Sequence, residues 1–238
     1  MNFPQTLIEG IFIKRYKRFL ADIQLKNGNI ITAHCPNTGS MKTCLHPSWP
    51  VLLSYNNNPK RKLAYTLELI HNNSCWICIN THRANQIVYE ALQKNHIKEL
   101  CGYTRIRKEV KYGKNSRIDL LLEKNDSPPC YVEVKSVTLL GENRHYLFPD
   151  SITNRGQKHL QALQTEKQQG NRSVLLFLIQ RSDGTIFSPA WKIDPLYSQL
   201  LQQANASGVE ILPYETEITP QKISLKKQIQ FVLKNPFE

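Results

Sequence analysis

The first 80 residues alternate between short apolar runs and polar turns. Strand-like segments include "TLIEGIFIKRY", "RFLADIQL", "IITAHC", "VLLSYNN", "AYTLELIHN" and "CWICIN". The tetrapeptide "KNGN" between the second and third segments is typical of a hairpin turn. Several short strands at regular spacing predict a small barrel or sandwich, and at this length a five-stranded OB-like barrel.

After "NTHRAN" the pattern changes from the period of a strand to the period of a helix. The apolar positions of residues 84–95 form one helical stripe: Ile87, Val88, Ala91 and Leu92. Thr81 or Asn85 is the expected cap of this helix. Three strands are predicted next, at residues 104–112, 117–124 and 130–137.

The remaining chain continues to alternate between helices and strands. A helix is predicted at 153–169, a buried strand at 173–180, a third helix within "IDPLYSQLLQQANASG" and a last strand at "VEILPYE". The mixed order predicts an α/β domain with one central sheet. The expected division is an OB-like domain at residues 1–82 and the α/β domain at residues 83–238.

Charge changes the picture of partners more than the picture of the fold. The net charge is +12, and the pI is about 9.4. Polyanions such as DNA or RNA are therefore the first expected partners. No basic amphipathic helix favours a membrane surface, and no apolar run reaches the ~20 residues of a membrane span. The start of the chain does not resemble a signal peptide, so we expect a cytoplasmic protein with reduced thiols.

Basic residues are concentrated near the N-terminus. Residues 1–80 contain nine Lys and Arg against three acids, mostly within "KRYKRF" and "NPKRKLAY". Cations beside aromatic rings suit phosphates and bases, although a solvated basic face is the ordinary alternative. The candidate nucleic-acid contacts are Lys14, Arg15, Tyr16, Lys17, Arg18, Lys60, Arg61 and Lys62.

A second basic segment opens the helix predicted at 153–169. "FPDSITNRGQKHLQAL" places Arg155, Gln157, Lys158 and His159 in the first turns. Backbone N–H groups and cations at a helix start form a natural phosphate contact. Arg155 and Lys158 are therefore further DNA-binding candidates, and a solvated helical face is the alternative.

The strand "YVEVKSV" carries the candidate chemistry. Side chains alternate across a strand, so Glu133 and Lys135 share one face. Asp119 lies in the preceding strand, where antiparallel pairing would bring it level with Glu133. Two neighbouring carboxylates repel each other, and a divalent cation such as Mg²⁺ or Mn²⁺ is the usual reason to keep both ionised. Lysine beside such a metal can orient an attacking water and stabilise charge on a phosphate.

The arrangement matches the acid–x–Lys motif of PD-(D/E)XK nucleases, whose core has the same α-β-β-β-α-β order. The predicted catalytic residues are Asp119, Glu133 and Lys135, and the predicted metal ligands are Asp119, Glu133 and Glu90. Glu109 is the alternative to Glu90 as a third carboxylate. A Glu-x-Lys pattern also occurs by chance as a solvent-facing pair, but the topology and the upstream aspartate favour the site.

Two other patterns predict no further chemistry. Cys75 and Cys78 of "CWIC" fall on opposite faces of a strand, and no second pair completes a zinc site. The chain has no glycine-rich phosphate loop of the Walker or Rossmann type, so no small-molecule cofactor is expected. "NTGS" at residues 37–40 is interpreted as a loop alone.

Long segments resemble one family nearly end to end, the sugar fermentation stimulation protein A (SfsA) family. The matching stretches include "RYKRFLADI", "HCPNTGSM", "NPKRKLAYTLE", "INTHRAN", "LCGYTRIRKEVKYGKNSRIDLLL", "YVEVKSVTL" and "FPDSITNRGQKHLQAL". The resemblance implies a bacterial or archaeal cytoplasmic protein that binds DNA without marked sequence preference. It also implies an OB-fold joined to a PD-(D/E)XK nuclease-like domain, with the motif at Asp119, Glu133 and Lys135. Ser136 stands where the family pattern leads us to expect Asn.

Two functions from different classes follow. The first is a metal-dependent nuclease, and the second is a non-catalytic DNA-binding regulator linked to sugar, notably maltose, metabolism. The pair of repelling carboxylates favours the nuclease. Oligosaccharide binding by the barrel is a third possibility, against which the basic clusters argue. The sequence predicts no particular oligomeric state.

Overall fold

A barrel of five strands forms the N-terminal part of the computed structural model, which describes residues 1–112 and 116–236. The strands are β1 Ile8–Tyr16, β2 Leu20–Leu25, β3 Ile30–His34, β4 Pro50–Tyr55 and β5 Tyr65–His71, with a short β6 Trp76–Cys78 beside β5. They pair in the order β3-β2-β1-β4-β5, and a parallel pairing of His34 with Thr66 closes the ring. This confirms the predicted OB-like barrel.

Alternating side chains fill the barrel interior. In β2, Ala21 and Ile23 are buried, while Asp22 between them is only partly buried. Gly10 of β1 permits a close approach to this strand, because a Cβ at that position would lie 2.5 Å from Cγ2 of Ile23. Phe12, Ala33, Leu53, Leu67 and Ile77 complete much of the same core.

A six-stranded sheet between helices forms the second part. In chain order, the helices and strands of this second part are α1 Arg83–Gln93, β7 Arg105–Tyr112, β8 Ser116–Glu123, β9 Cys130–Val137, β10 Leu139–Leu140, β11 His145–Phe148, α2 Asn154–Gln168, β12 Arg172–Ile179, β13 Ile186–Pro189, α3 Pro195–Ala206, β14 Glu210–Ile218 and β15 Ile223–Gln228. The sheet order is β15-β14-β12-β9-β8-β7. Strands β9, β12 and β14 are parallel, and the outer strands are antiparallel to their neighbours. The predicted α/β class and element order are confirmed.

The helices cover the two faces of this sheet. On one face, Ile87 and Val88 of α1 pack into a core with Leu176 of β12. On the other face, Leu160 of α2 packs into a core with Phe177. Strand β12 is thus buried on both sides, which explains its continuous apolar run.

Several local features differ from the sequence prediction. Strands β10, β11 and β13 form a separate three-stranded sheet, and β15 extends the large sheet at its edge. The N-cap of α1 is His82, without a side-chain cap, so neither Thr81 nor Asn85 caps the helix. By contrast, Thr153 caps α2 by accepting a hydrogen bond from the Gly156 N–H.

The barrel and the α/β part have separate sheets, but residues near the start of the chain contact the second part. The barrel and the large sheet share no strand among the described residues. However, the Met1 ammonium donates to the Ile223 carbonyl at 2.7 Å, so the chain begins against the C-terminal sheet. The domain division at residues 82 and 83 therefore stays a prediction.

Arg181 ties the two parts together from a position that is 1 % exposed. Its guanidinium donates to the Thr138 carbonyl at 2.7 Å and to Thr43 Oγ1, on the barrel side, at 3.2 Å. Both Asp183 carboxylate oxygens accept from it at 2.6 Å. A bidentate pair with its remaining donors satisfied is the form in which a buried charge is tolerated.

Two observations concern the burial of the cysteines and the length and apolar character of the helices. Cys78 is fully buried, and burial raises the pKa of its thiol, whereas Cys75 is partly exposed. None of the helices within residues 1–112 and 116–236 combines the length and apolar character needed to cross a membrane.

We expect Arg181→Met to destabilise the protein by about 3 kcal/mol, because it leaves a carboxylate and buried carbonyls without their donor. The control is Lys26→Ala, which breaks an exposed pair with Glu9 at a similar distance of 2.7 Å. Urea denaturation should show a lower midpoint for the first variant and an unchanged midpoint for the second. Equal midpoints for both variants would contradict this role of Arg181.

Candidate functional site

Asp119 stands where strands β8 and β9 part. The ladder between them runs from Leu122 opposite Cys130 to Leu120 opposite Val132. One residue further, the Asp119 side chain takes over: its Oδ2 accepts from the Val134 N–H at 2.8 Å. The carboxylate is therefore fixed against the backbone of the strand that carries the second acid.

Glu133 and Lys135 lie on one face of β9, as the alternation predicts. The Lys135 ammonium is 2.7 Å from Glu133 Oε1, and the two side chains are 13 % and 3 % exposed. The pair is thus an internal one and not a solvent-facing surface pair. Its place in the sheet, beside Asp119, is the one expected from the sequence.

Helix α2 adds His159, which the sequence placed in a helix start suited to phosphate contact and not beside the two acids. Its Nδ1 contacts Glu133 Oε1 and lies 3.1 Å from the Lys135 ammonium. The Arg155 Nε–H donates to His159 Nε2 at 3.3 Å. His159 thus links Arg155 at the start of α2 to the glutamate and the lysine of β9.

The carboxyl groups of Asp119 and Glu133 have pKa values shifted in opposite directions. Burial and the negative charge of Glu133 raise the pKa of Asp119. Hydrogen bonds from the Val134 N–H and the Asn85 amide lower it, but by less. Burial also raises the pKa of Glu133, but the Lys135 ammonium and the His159 hydrogen bond outweigh it and lower the net value. Glu133 therefore ionises more readily than Asp119, and the charge of Asp119 is the one that a nearby cation would stabilise more.

One oxygen of this site has no partner. Glu133 Oε2 is buried and makes no hydrogen bond within the described residues. The hydroxyls of Tyr112 and Tyr197 are buried and unpaired there as well, and burial followed by the charge of Glu133 raises the pKa of both. A buried carboxylate oxygen without a donor is costly, and it is a free ligand for a cation.

The third carboxylate predicted from sequence does not join the pair. Glu90 of α1 binds the Met1 ammonium at 2.9 Å and accepts from Gln86. The α1 residue that reaches Asp119 is instead Asn85, whose amide donates to Oδ1 at 2.8 Å. Glu109 is exposed on β7. In the described part of the chain, no group of three or more His, Cys, Asp or Glu side chains is arranged to hold a metal.

A cleft of about 300 Å³ lies between the barrel and the α/β part, and Asn85 and Lys135 of the site line it. The barrel contributes Arg18 and the loop at residues 37–39, which the sequence analysis interpreted as a loop alone. Arg15 holds this loop by donating to the Asn37 and Gly39 carbonyls at 2.8 and 3.0 Å. From the opposite wall, Asp150 Oδ2 accepts from the Met41 N–H at 3.1 Å. The loop is thus a fixed wall of the cleft.

The first basic cluster has divided roles. Arg15 is committed to the loop carbonyls, and the Tyr16 hydroxyl donates to Asp22 at 3.0 Å. Lys17 and Arg18 form an exposed left-handed turn, and the Arg18 guanidinium donates to the Thr38 carbonyl at 2.7 Å. Lys14 is 66 % exposed and 3.7 Å from Asp22.

The remaining basic candidates lie on exposed surface. Lys60, Arg61 and Lys62 follow β4 in an exposed loop, where Arg61 donates to Thr66 Oγ1 at 3.0 Å. Arg155 and Lys158 are exposed at the start of α2. Strands β7 and β8 carry further cations, for which no DNA-binding role was predicted. Lys111 lies directly opposite Arg117.

Two family models cover most of the chain. The model described as "SfsA N-terminal OB domain" matches residues 13–79, and the one described as "Sugar fermentation stimulation protein RE domain" matches residues 82–222. The chain belongs to the sugar fermentation stimulation protein family.

Curated relatives and a solved structure agree with this membership. The chain is 50 % identical to a sugar fermentation stimulation protein homolog of Geobacter sulfurreducens over 96 % of its length and 97 % of the relative. It is 53 % identical to a homolog of Shewanella frigidimarina over 93 % and 95 % of the two chains. The solved structure of Pyrococcus furiosus SfsA in complex with Ca²⁺ superposes with a TM-score of 0.87 at 26 % identity, over 98 % of each chain.

We expect Asp119→Asn to raise the thermal midpoint in the presence of a chelator, because it removes the buried charge that Glu133 repels. The pKa of Asp119 is raised, so the folded state loses stability as the pH rises through that value. The gain should therefore be largest at neutral pH and shrink as the pH falls toward the ordinary aspartate pKa. Glu123→Gln, on the same strand, should bring no gain. A midpoint for Asp119→Asn at or below that of the wild type would argue against repulsion at the site.

Proposed function

We propose that this protein binds DNA largely without sequence preference and cleaves phosphodiester bonds with the help of Mg²⁺ or Mn²⁺. Asp119, Glu133 and Lys135 are the residues assigned to cleavage. The observation that carries the proposal is the buried, unpaired Oε2 of Glu133 beside a second carboxylate of raised pKa. In this proposal, a strand of DNA would reach Lys135 through the cleft between the two parts of the chain.

The donor set suits a hard divalent cation. Carboxylate oxygens are the ligands that Mg²⁺ and Mn²⁺ prefer, and Asp119 and Glu133 would supply them. The two acids alone leave most coordination positions to water and substrate, as is usual for Mg²⁺. When bound, the ion supplies Lewis-acid polarisation of a phosphate group. The Ca²⁺ complex of the P. furiosus relative supports a divalent cation in this fold.

Lys135 serves the phosphate in this proposal. Its ammonium has three donors, of which Glu133 Oε1 accepts one. The other donors are available to orient a water or to bind a phosphate oxygen on which negative charge develops. His159 acts by holding Glu133 from the side of α2, and so it keeps the ammonium and the carboxylate in register.

Exposed cations supply the DNA-binding part of the proposal. Lys14, Lys17 and Arg18 lie at the edge of the barrel, and Lys60 and Lys62 lie in the loop after β4. Lys158 and Arg155 sit on the α2 side of the same molecule. Phosphate contacts from such side chains carry no sequence information, which fits binding without marked sequence preference.

A non-catalytic DNA-binding regulator of sugar metabolism is the second candidate. The observation that favours it is the internal compensation of the acids. Both Asp119 oxygens already accept hydrogen bonds, and Glu133 Oε1 is shared by Lys135 and His159. In such a protein the polar cluster would stabilise the fold, and the cleft would bind DNA without cutting it.

We expect the wild type to cleave DNA with Mg²⁺ or Mn²⁺, and Glu133→Gln to cleave at least ~100-fold more slowly. In a chelator, Glu133→Gln should bind DNA as well as or slightly better than the wild type, because it removes a negative charge near the phosphate. Lys135→Ala should also lose cleavage but still bind Mn²⁺ in calorimetry, since an ammonium is not a ligand. Glu217→Gln, in an exposed pair on β14, is the control.

The opposite pattern would leave only the regulator. If the wild type cleaves none of several DNA forms, and the wild type, Glu133→Gln and Lys135→Ala show equal Mn²⁺ affinity, then Asp119 and Glu133 are structural.

Salt dependence tests the basic loop separately. Lys60→Ala combined with Lys62→Ala should lower the slope of log affinity against log salt by about 0.7–0.9 per lost phosphate contact. Lys26→Ala, which removes an exposed cation already paired with Glu9, should leave the slope unchanged. Arg15→Ala should instead lower the thermal midpoint, because four backbone carbonyls lose their donor. An unchanged slope in the double variant would place the DNA elsewhere.

A further inference from the structure

A second cavity of about 490 Å³ lies next to the cleft of the candidate site. The two spaces share a wall: Pro36 lines the second cavity while Asn37 lines the cleft, and His82 lines the cavity while Thr81 lines the cleft. We call this space the histidine cavity, after His34 and His82 in its lining. Arg61 from the loop after β4 also lines it.

The negative charge in the histidine cavity is already neutralised. Glu68 is 1 % exposed, and its two oxygens accept from Arg83 at 2.7 and 3.1 Å. Ser54 and Asn80 each donate a further hydrogen bond of 2.8 Å to it. Glu68 and Arg83 therefore cancel, and they offer nothing to a ligand.

Three cationic or titratable groups are left over. No carboxylate within the described ranges forms an ion pair with His34, Arg61 or His82. Neither imidazole hydrogen-bonds to any residue of 1–112 or 116–236, and Arg61 uses one terminal nitrogen for Thr66. Burial, followed by the positive charges of Arg61 and His82, lowers the pKa of His34. Three side chains that can donate hydrogen bonds to an anion thus line one space, and none of them is paired with a carboxylate of the described residues.

Such a set fits a tetrahedral anion. A guanidinium offers paired N–H groups that match phosphate oxygens, and each protonated imidazole adds donors. At the rim, Tyr55 is 45 % exposed and packs on Tyr65 with ring centroids 5.2 Å apart. An exposed ring beside a phosphate site is a surface on which a nucleic-acid base can stack.

We propose that the histidine cavity binds a backbone phosphate of the DNA strand that occupies the neighbouring cleft, away from the phosphate that is cleaved. The proposal rests on the proposed DNA binding and assigns His34 and His82 a role in it. His34 and Arg61 belong to the barrel, whereas His82 precedes α1, whose Asn85 holds Asp119. A phosphate bound there would therefore place the strand relative to the acidic pair.

The direct test is a titration of the histidine side chains by NMR in a chelator, on the full chain. Saturation with a short single-stranded oligodeoxynucleotide should shift the His34 and His82 ring signals and raise the pKa of His34, because an anion now faces it. Inorganic phosphate is the second probe. It should shift the same signals at higher concentration, since it lacks the stacking base.

Variants supply the quantitative arm. Arg61→Gln combined with His82→Asn should reduce the salt slope of single-strand binding by about 0.7, the value for one phosphate contact. Lys26→Gln removes one exposed charge from the same barrel outside the cavity and should leave the slope unchanged. Thermal midpoints establish that each variant is folded, and His34→Gln provides a second substitution if Arg61→Gln is unstable.

Three outcomes overturn the proposal. If the oligonucleotide binds but the His34 and His82 signals do not move, the cavity is not on the DNA path, while the proposed DNA binding stands. If inorganic phosphate shifts these signals and the oligonucleotide does not bind, the cavity serves a free phosphate, and the proposed DNA binding fails as well. If the double variant keeps the wild-type slope, His82 and Arg61 make no contact with the strand.

Discussion

The buried carboxylate of Glu133 is the group on which the site depends. A charge that is 2 % exposed is tolerated only when partners surround it, and here they come from two elements. Lys135 lies two residues along the same strand, and His159 reaches over from α2. Both partners use Oε1, so Oε2 is left without a donor. The contact that His159 of α2 makes with the site and the free oxygen Oε2 therefore belong to the same carboxylate.

The barrel contributes to the site through a loop and not through its strands. The Arg15 guanidinium donates hydrogen bonds to carbonyls within residues 37–40. From the other wall, Asp150 accepts from the N–H of the next residue, Met41. Because the loop is held from both sides, this wall of the cleft is fixed. A cation of the basic cluster thus acts as scaffold, while its neighbours Lys17 and Arg18 lie exposed.

The sequence predicted the parts of this structure that follow from regular periodicity. The barrel strands, the three helices and the level placement of Asp119 and Glu133 all come from alternation and from short turns. Strands β10, β11 and β13 have four residues or fewer, too short for a recognisable period. His159 could not be assigned, because its partner lies 26 residues away and depends on how α2 packs. Glu90 lies five residues after Asn85 on α1, so the two side chains point in different directions. Asn85 reaches Asp119, whereas Glu90 pairs with the Met1 ammonium.

The central claim is that the free oxygen of Glu133 and the carboxylate of Asp119 together bind a divalent cation. Anomalous diffraction from crystals soaked in Mn²⁺ tests it most directly, because the signal locates the ion without reference to activity. We expect one strong peak within bonding distance of Glu133 Oε2 and an Asp119 oxygen, at the mouth of the cleft that contains Lys135. A saturating soak that places Mn²⁺ elsewhere, or nowhere, while this cleft is open to solvent would contradict the account.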